Sequence, residues 1–292
     1  MAFNFQAFKT RALTAVIFVA VMLAGLLWNH WSFFILFSVI HFGCWFEFQK
    51  LVGKIDKDYA EISNFHRYGV MLAGWAIMLW MSNDAYVIGS LRLHELGWWM
   101  LLVCLVVLPI VEVLFSRTLN LKLIGYSLGG LIYISLSWGM MMELRGEGML
   151  FKNRELIFDL GWAIPIILIA SIWINDTMAY IVGSFVGKTP LSFISPKKTW
   201  EGTIGGAVLS VATIALVGHF WLKASMVDLI VISSIAAFFG TLGDLLESKL
   251  KRLADVKDSG KIMPGHGGFL DRFDSLILAV PIVWLYVRFL MY

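Results

Sequence analysis

The densest chemistry in the chain lies between Asp244 and Asp274, in "GDLLESKLKRLADVKDSGKIMPGHGGFLDRFDS", which holds twelve of the 43 charged residues, six acidic and six basic. Asp244, Glu247 and Lys251 recur at i, i+3 and i+7, so a helix would set them on one face, with Ser248 and Arg252 beside them. Pro264, Gly265, Gly267 and Gly268 surround His266, which predicts a tight turn whose amide N–H groups can face an anion. Asp271 and Asp274 follow one turn apart at the head of another apolar run. Carboxylates meeting from two helix ends, beside a glycine-rich turn and several cations, suit a hard divalent metal, which takes oxygen ligands and shares them with substrate phosphates. The chemistry indicated is phosphoryl or nucleotidyl transfer, with Lys and Arg neutralising charge on the phosphoryl group.

Each of these residues also has a plainer role to set against that one. Asp271 and Asp274 could cap a helix and favour its dipole, and the lysines from Lys249 to Lys261 could be an ordinary basic cytoplasmic loop. Asp244 is harder to explain away, because an acid within a membrane span is costly and marks a functional site. A second polar island, "IWINDTMAYIVGSFVGKTPLSFISPKKTWEG", sets Asn175, Asp176 and Tyr180 in an apolar helix and follows them with Lys188, Lys197, Lys198 and Glu201. Asp176 lies mid-span, where an ionisable group faces a partner or a wet cavity. Gly183 and Gly187, like Gly202 and Gly206, have the small-xxx-small spacing of packed membrane helices, with no chemistry implied.

The elements that must carry these groups are read from composition. Hydrophobic residues make up 59% of the 292, charged residues 15%, and the mean hydropathy is +0.80. Nine apolar segments approach the length needed to cross a bilayer: about 12–28, 31–48, 68–82, 97–115, 123–141, 161–187, 203–222, 226–247 and 273–291. The first follows Lys9 and Arg11 as a secretory signal would, but Leu26, Leu27, Trp28 and His30 occupy the place of a small-residue cleavage site, so it is read as a retained helix. Cys44 and Cys104 both fall in apolar segments without a spacing pattern, which speaks against disulfide and zinc frameworks. With nine spans, 17 of the 23 Lys and Arg fall on one face, including the loops 50–67, 188–202 and 248–272. That asymmetry predicts a cytoplasmic N-terminus. The fold expected is all-α and polytopic, a single integral-membrane domain over 1–292, with N-terminal transmembrane helices in 1–160 and a catalytic transmembrane region in 161–292. No nucleic-acid motif is present, and no nucleic-acid partner is expected.

"SKLKRLADVKDSGKIMPGHGGFLDRFD", Ser248 to Asp274, resembles the signature of the phosphatidate cytidylyltransferases, also called CDP-diacylglycerol synthases. "ISPKKTWEG" and "NDTMAYIVGSFVGK" look like segments of the same family, so the clear match covers roughly residues 170–275. The resemblance implies conversion of CTP and phosphatidic acid to CDP-diacylglycerol and pyrophosphate in phospholipid biosynthesis. It implies Mg²⁺, as one or two ions, held by Asp244 and Asp271, with Asp176 a candidate for a further metal or nucleotide contact. It also implies a polytopic helical fold, commonly a homodimer, with a polar cavity open to the cytoplasm; the bacterial inner membrane is the expected location. Lys251, Arg252 and Lys257 would offset triphosphate charge. Ser248, Arg272, and the loop of His266, Gly267 and Gly268 would shape the phosphate site, and Lys197, Lys198, Thr199 and Glu201 would contact the nucleotide. Lys54, in another cytoplasmic loop, is expected to matter little. The alternatives are a transporter of phosphorylated anions, disfavoured by charge concentrated at one face without repeats, and a nucleotidyl- or phosphotransferase acting on another lipid phosphate.

Overall fold

A computed structural model of the chain describes residues 5–115, 120–152, 155–262 and 267–291. His266 lies outside the described residues. Among the described residues eleven α-helices run in the order α1 (Phe5–Leu27), α2 (His30–Ile55), α3 (Lys57–Ala60), α4 (Asn64–Trp80), α5 (Leu93–Phe115), α6 (Leu121–Gly130), α7 (Ser137–Gly146), α8 (Ala163–Val186), α9 (Trp200–Leu222), α10 (Met226–Leu253) and α11 (Leu270–Phe289). A π-helical turn, Leu131–Leu136, joins α6 to α7 into one continuous rod. Two antiparallel hairpins, Val87–Ile88 with Leu91–Arg92 and Met149–Lys152 with Glu155–Asp159, are small departures from the all-α expectation.

All nine expected apolar segments fall on helices. Six stretches are long and apolar enough to cross a membrane: His30–Ile55, Leu93–Leu114, Leu121–Gly146, Ala163–Val186, Trp200–Leu222 and Met226–Leu253. The other three lie on α1, apolar over Ala12–Leu27, on α4 with 17 residues, and on α11, whose first turns carry Asp271, Arg272 and Asp274. Length and hydropathy therefore give six candidate spans among the described residues, against the nine expected.

Local chemistry sets the helix starts. Asn29 accepts from the backbone N–H of Ser32 at 2.8 Å, and the Ser32 hydroxyl accepts from that of Asn29, a reciprocal cap that begins α2. Ser63, Thr199 and Ser225 accept from the third residue on and begin α4, α9 and α10. α11 is different: Phe269 precedes it and offers no side-chain cap, so its first N–H groups need acceptors from elsewhere.

Packing brings α8, α9, α10 and α11 together, with α10 lying against both α9 and α11. The small-residue spacing does the packing work expected of it. A Cβ on Gly202 would come within 2.9 Å of the Gly183 Cα, and one on Gly206 within 2.7 Å of the Asn175 carbonyl, so α8 and α9 touch backbone to backbone. The N-terminal half reaches the same bundle through α2 and α7, which pack on α11. Trp138 of α7 sits edge-on to Phe273 of α11 and lies tilted against Phe37 of α2. Buried polar side chains join the remaining helices. His66 of α4 places Nδ1 2.9 Å from Glu112 of α5 and Nε2 2.8 Å from the Ser127 hydroxyl of α6.

At the end of α7, fully buried Arg145 forks onto Asp159 of the second hairpin at 2.5 and 2.6 Å. Partial burial raises the Asp159 carboxyl, and the hydrogen bonds and charge of Arg145 more than offset this, leaving it below its usual value.

Candidate active site

α10 does what the i, i+3, i+7 pattern requires. Asp244, Glu247, Ser248 and Lys251 share the face turned to α11, and one carboxylate oxygen each from Asp244, Glu247 and Asp274 falls within 4.8 Å of the others. Glu247 is fully buried and Asp274 nearly so, while Asp244 is partly open. The close approach depends on Gly243, where a side chain would run into the Asp274 carbonyl and the Ser275 Cα. Glu247 Oε1 is buried without a hydrogen-bond partner among the described residues.

Cations enter this cluster from two directions. Lys198, from the loop between α8 and α9, is ion-paired with Asp244, and the Ser248 hydroxyl donates to the other Asp244 oxygen at 3.2 Å. Lys251 is ion-paired with Glu247 and donates to Asp271 Oδ1 at 2.7 Å. Asp176 of α8 stands within electrostatic reach of Lys198, Asp244 and Arg272. Three carboxylates drawn this close repel one another unless a cation is shared among them or a proton neutralises one. Their donor atoms, all carboxylate oxygens, with one buried oxygen unpartnered, fit a hard divalent ion such as Mg²⁺.

Asp271 has a different set of partners. Its Oδ2 accepts from the backbone N–H of Ser259, the Ser259 hydroxyl and the Gly268 N–H, each at 2.8 Å, while Oδ1 faces Lys251. Asp271 is the second residue of α11, and it reaches back to order the turn ahead of the helix. Gly267 has φ +85°, and a Cβ there would lie 2.6 Å from Asp271 Oδ2, so glycine is required on both counts.

The acceptor α11 lacks locally comes from α2. Glu47 Oε2 accepts from the Leu270 N–H at 2.8 Å and lies 2.8 Å from the Ser259 hydroxyl, which can give its one proton to Glu47 or to Asp271. Side chains at Gly260 or Gly268 would overlap the Glu47 carboxylate. Glu47 is 8% exposed. No short motif connects it to the glycine-rich turn, but it is an acid within an apolar span, the same signal that singles out Asp244. The spacing sets Glu247 one turn from Asp244 and Asp274 one turn from Asp271, while the resemblance implies metal ligands at Asp244 and Asp271.

The remaining expected contacts spread around this centre. Thr199 caps α9 and packs against Gly183 and Gly187. Glu201 accepts from the N–H groups of Lys188 at 3.1 Å and Thr189 at 3.2 Å, holding the 188–201 loop shut on itself. Lys197, Arg252 and Arg272 are exposed. Lys257 is exposed as well and lines a separate cleft with Lys50 and Lys54.

A sequence model described as the cytidylyltransferase family matches residues 9–290. Among curated proteins, the chain is 40% identical over 139 residues to a phosphatidate cytidylyltransferase of Synechocystis, covering 46% of each chain. It is 37% identical over 177 residues to the phosphatidate cytidylyltransferase of Bacillus subtilis, covering 59% of this chain and 61% of that one. The corresponding Staphylococcus haemolyticus protein is 46% identical over 114 residues, covering 38% and 44%. The chain thus matches about half the length of these curated relatives.

Proposed function

The chain belongs to the cytidylyltransferase family, and from that premise we propose that it transfers a cytidylyl group from CTP to phosphatidic acid, giving CDP-diacylglycerol and pyrophosphate for phospholipid synthesis. The observation that carries this reading is the meeting of three carboxylates and two ammonium groups where α10, α11 and the loop before α9 converge. Relatives sharing 37–46% identity over their aligned segments bear the name of that activity.

Asp244, Glu247 and Asp274 would hold Mg²⁺, while Asp271 Oδ1 holds Lys251 beside them. Bound there, the metal would supply charge neutralisation and alignment of the phosphates. Lys198 and Lys251 lie where they can exchange a carboxylate for a substrate phosphate, as compact charges suited to it. Ser248 offers a hydroxyl beside Asp244. Arg252, Lys257 and Arg272 add positive charge around the approach, and Asp176 faces the same charges from α8. The 188–201 loop, with Lys197, Thr199 and Glu201, would frame the nucleotide.

In the reaction, a phosphate oxygen of the lipid forms a bond to the α-phosphorus of CTP as the bond to the bridging β-oxygen breaks. The electron pair leaves on pyrophosphate. A phosphate monoester with a second pKa of about 6 is already largely dianionic at neutral pH, so no general base is required. The helices shown to be long enough to span would set this chemistry at the membrane face. Our reading extends to nine spans, a homodimer in the bacterial cytoplasmic membrane, and a site facing the cytoplasm, which the distribution of Lys and Arg supports.

The direct test incubates purified protein with phosphatidate, Mg²⁺ and CTP labelled in its α-phosphate. Label should become extractable into organic solvent as CDP-lipid. Folded protein that leaves all label in the aqueous phase would sink the reading.

A further inference from the structure

Outside the carboxylate cluster, the fold also gathers positive charge where α2 meets the loop that follows α10. Lys50 and Lys54 of α2 line a cleft of about 260 Å³ together with Lys257, Asp258, Ser259 and Lys261 of the loop that follows α10. All four lysines are exposed, and none lies within ion-pair distance of a carboxylate among the described residues. Lys50 and Lys54 are one helical turn apart, where like charges destabilise a helix. Two segments some 200 residues apart in sequence thus bring four ammonium groups and one carboxylate to a single concavity.

The cleft adjoins the active centre through one residue. Ser259 lies in its wall and is itself buried; its N–H binds Asp271, and its hydroxyl lies between Asp271 and Glu47. Asp271 in turn holds Lys251, the ammonium paired with Glu247. At roughly 30 Å³ of liquid volume per water, the cleft has room for about nine waters, a size that suits a small polyanion.

We propose that this cleft is a polyphosphate site in which Lys50, Lys54, Lys257 and Lys261 bind the pyrophosphate unit: the β- and γ-phosphates of the incoming nucleotide, or pyrophosphate as it leaves. Each ammonium brings three donors and one charge to tetrahedral phosphate oxygens, and such charge-assisted bonds are stronger than neutral ones. The assignment rests on the transfer reading for the origin of the anion, and it makes the N-terminal half of the chain part of the nucleotide site. The same chemistry would also accept the phosphate of a lipid headgroup.

The test is equilibrium dialysis of labelled inorganic pyrophosphate against the full chain in detergent, with EDTA present and no CTP, so that binding is read whether or not transfer occurs. The double substitution Lys50→Ala/Lys54→Ala should weaken binding by about a hundredfold, roughly tenfold for each charge-assisted hydrogen bond removed. Lys50→Arg/Lys54→Arg should stay within a few-fold of the natural chain. Lys223→Ala, at the other end of α9, should bind as the natural chain does. Pyrophosphate that resists displacement by dihexanoyl phosphatidate assigns the cleft to the nucleotide. Displacement from the natural chain, absent in the double alanine variant, assigns it to the lipid headgroup. Equal pyrophosphate affinity in the natural chain and the double alanine variant overturns the proposal. Binding that persists in a chain unable to form CDP-lipid would refute the transfer reading alone.

Discussion

The Glu47 carboxylate accepts the backbone N–H of Leu270 at 2.8 Å across 223 residues of sequence, so a side chain of α2 caps α11 from outside. The same oxygen contacts the Ser259 hydroxyl. Replacing Glu47 by alanine leaves the buried Leu270 N–H without an acceptor and the Ser259 hydroxyl with Asp271 alone, a loss of about 1–3 kcal/mol for the stranded donor. Glu47→Gln keeps an acceptor oxygen and nearly the same volume. The expected order of thermal stability in detergent is natural chain, then Glu47→Gln, then Glu47→Ala, with turnover following the same order because the turn before α11 also holds Asp271. An alanine variant as stable and active as the natural chain would mean that water replaces the carboxylate and that Glu47 positions nothing.

Gly260 and Gly268 leave the space that the Glu47 carboxylate fills. A methyl group at either one must displace a buried charged side chain, and overpacking of this kind costs about 1–3 kcal/mol. Gly268→Ala and Gly260→Ala should each lower the melting temperature. Pairing Gly268→Ala with Glu47→Ala should cost less than the sum of the two, because the clash vanishes with the carboxylate. Strict additivity in that double-mutant cycle would refute the contact.

Arg145 and Asp159 make a prediction away from the catalytic face. Arg145 is 1% exposed, so Asp159→Asn strands a buried guanidinium and should destabilise by about 3–5 kcal/mol, while replacing both residues by apolar ones of similar volume should recover much of the loss. The folded-state pKa of Asp159 is depressed. Its contribution is therefore fully present above the usual aspartate pKa of about 3.9, and it is lost as pH falls through the lower folded value. Denaturant midpoints should show a natural-chain advantage over Asp159→Asn that is flat from pH 7 to 5 and shrinks below about pH 4.

These relationships differ in how far the amino-acid order reveals them. Helix positions were legible because hydropathy is local: the segment expected at 161–187 folds as Ala163–Val186, and that expected at 203–222 begins at Trp200, directly after the Thr199 cap. The shared face of Asp244, Glu247 and Lys251 was legible for the same reason, since helical periodicity spans only two turns. Lys54 was set aside because its loop is remote in sequence, yet it lines a cleft with Lys257. Glu47 likewise depends on a tertiary contact that no local pattern encodes. Only the rule that acids are costly inside an apolar helix could have raised it. Asp271 stands at the head of α11 as its position predicts, but its three partner residues come from the loop between the two helices and from α10, and their geometry follows from chain folding alone.

The roles of Asp244, Glu247 and Asp271 separate when turnover and Mg²⁺ requirement are measured together. Asp244 and Glu247 present oxygens to a common point, so Asp244→Asn and Glu247→Gln should raise the Mg²⁺ concentration for half-maximal activity by at least about tenfold, the scale of loss seen when metal-site groups are removed. Asp271→Asn retains an acceptor for Ser259 and Gly268 but loses the negative charge that holds Lys251. Its turnover should fall about 10- to 100-fold, as for a charge-assisted bond, with the Mg²⁺ midpoint unmoved. A shift of that midpoint matching the one in Asp244→Asn would instead make Asp271 a metal ligand during turnover. Lys251 would then have to leave Oδ1 as substrate binds, and its released ammonium would be free to meet the phosphate whose arrival displaced it.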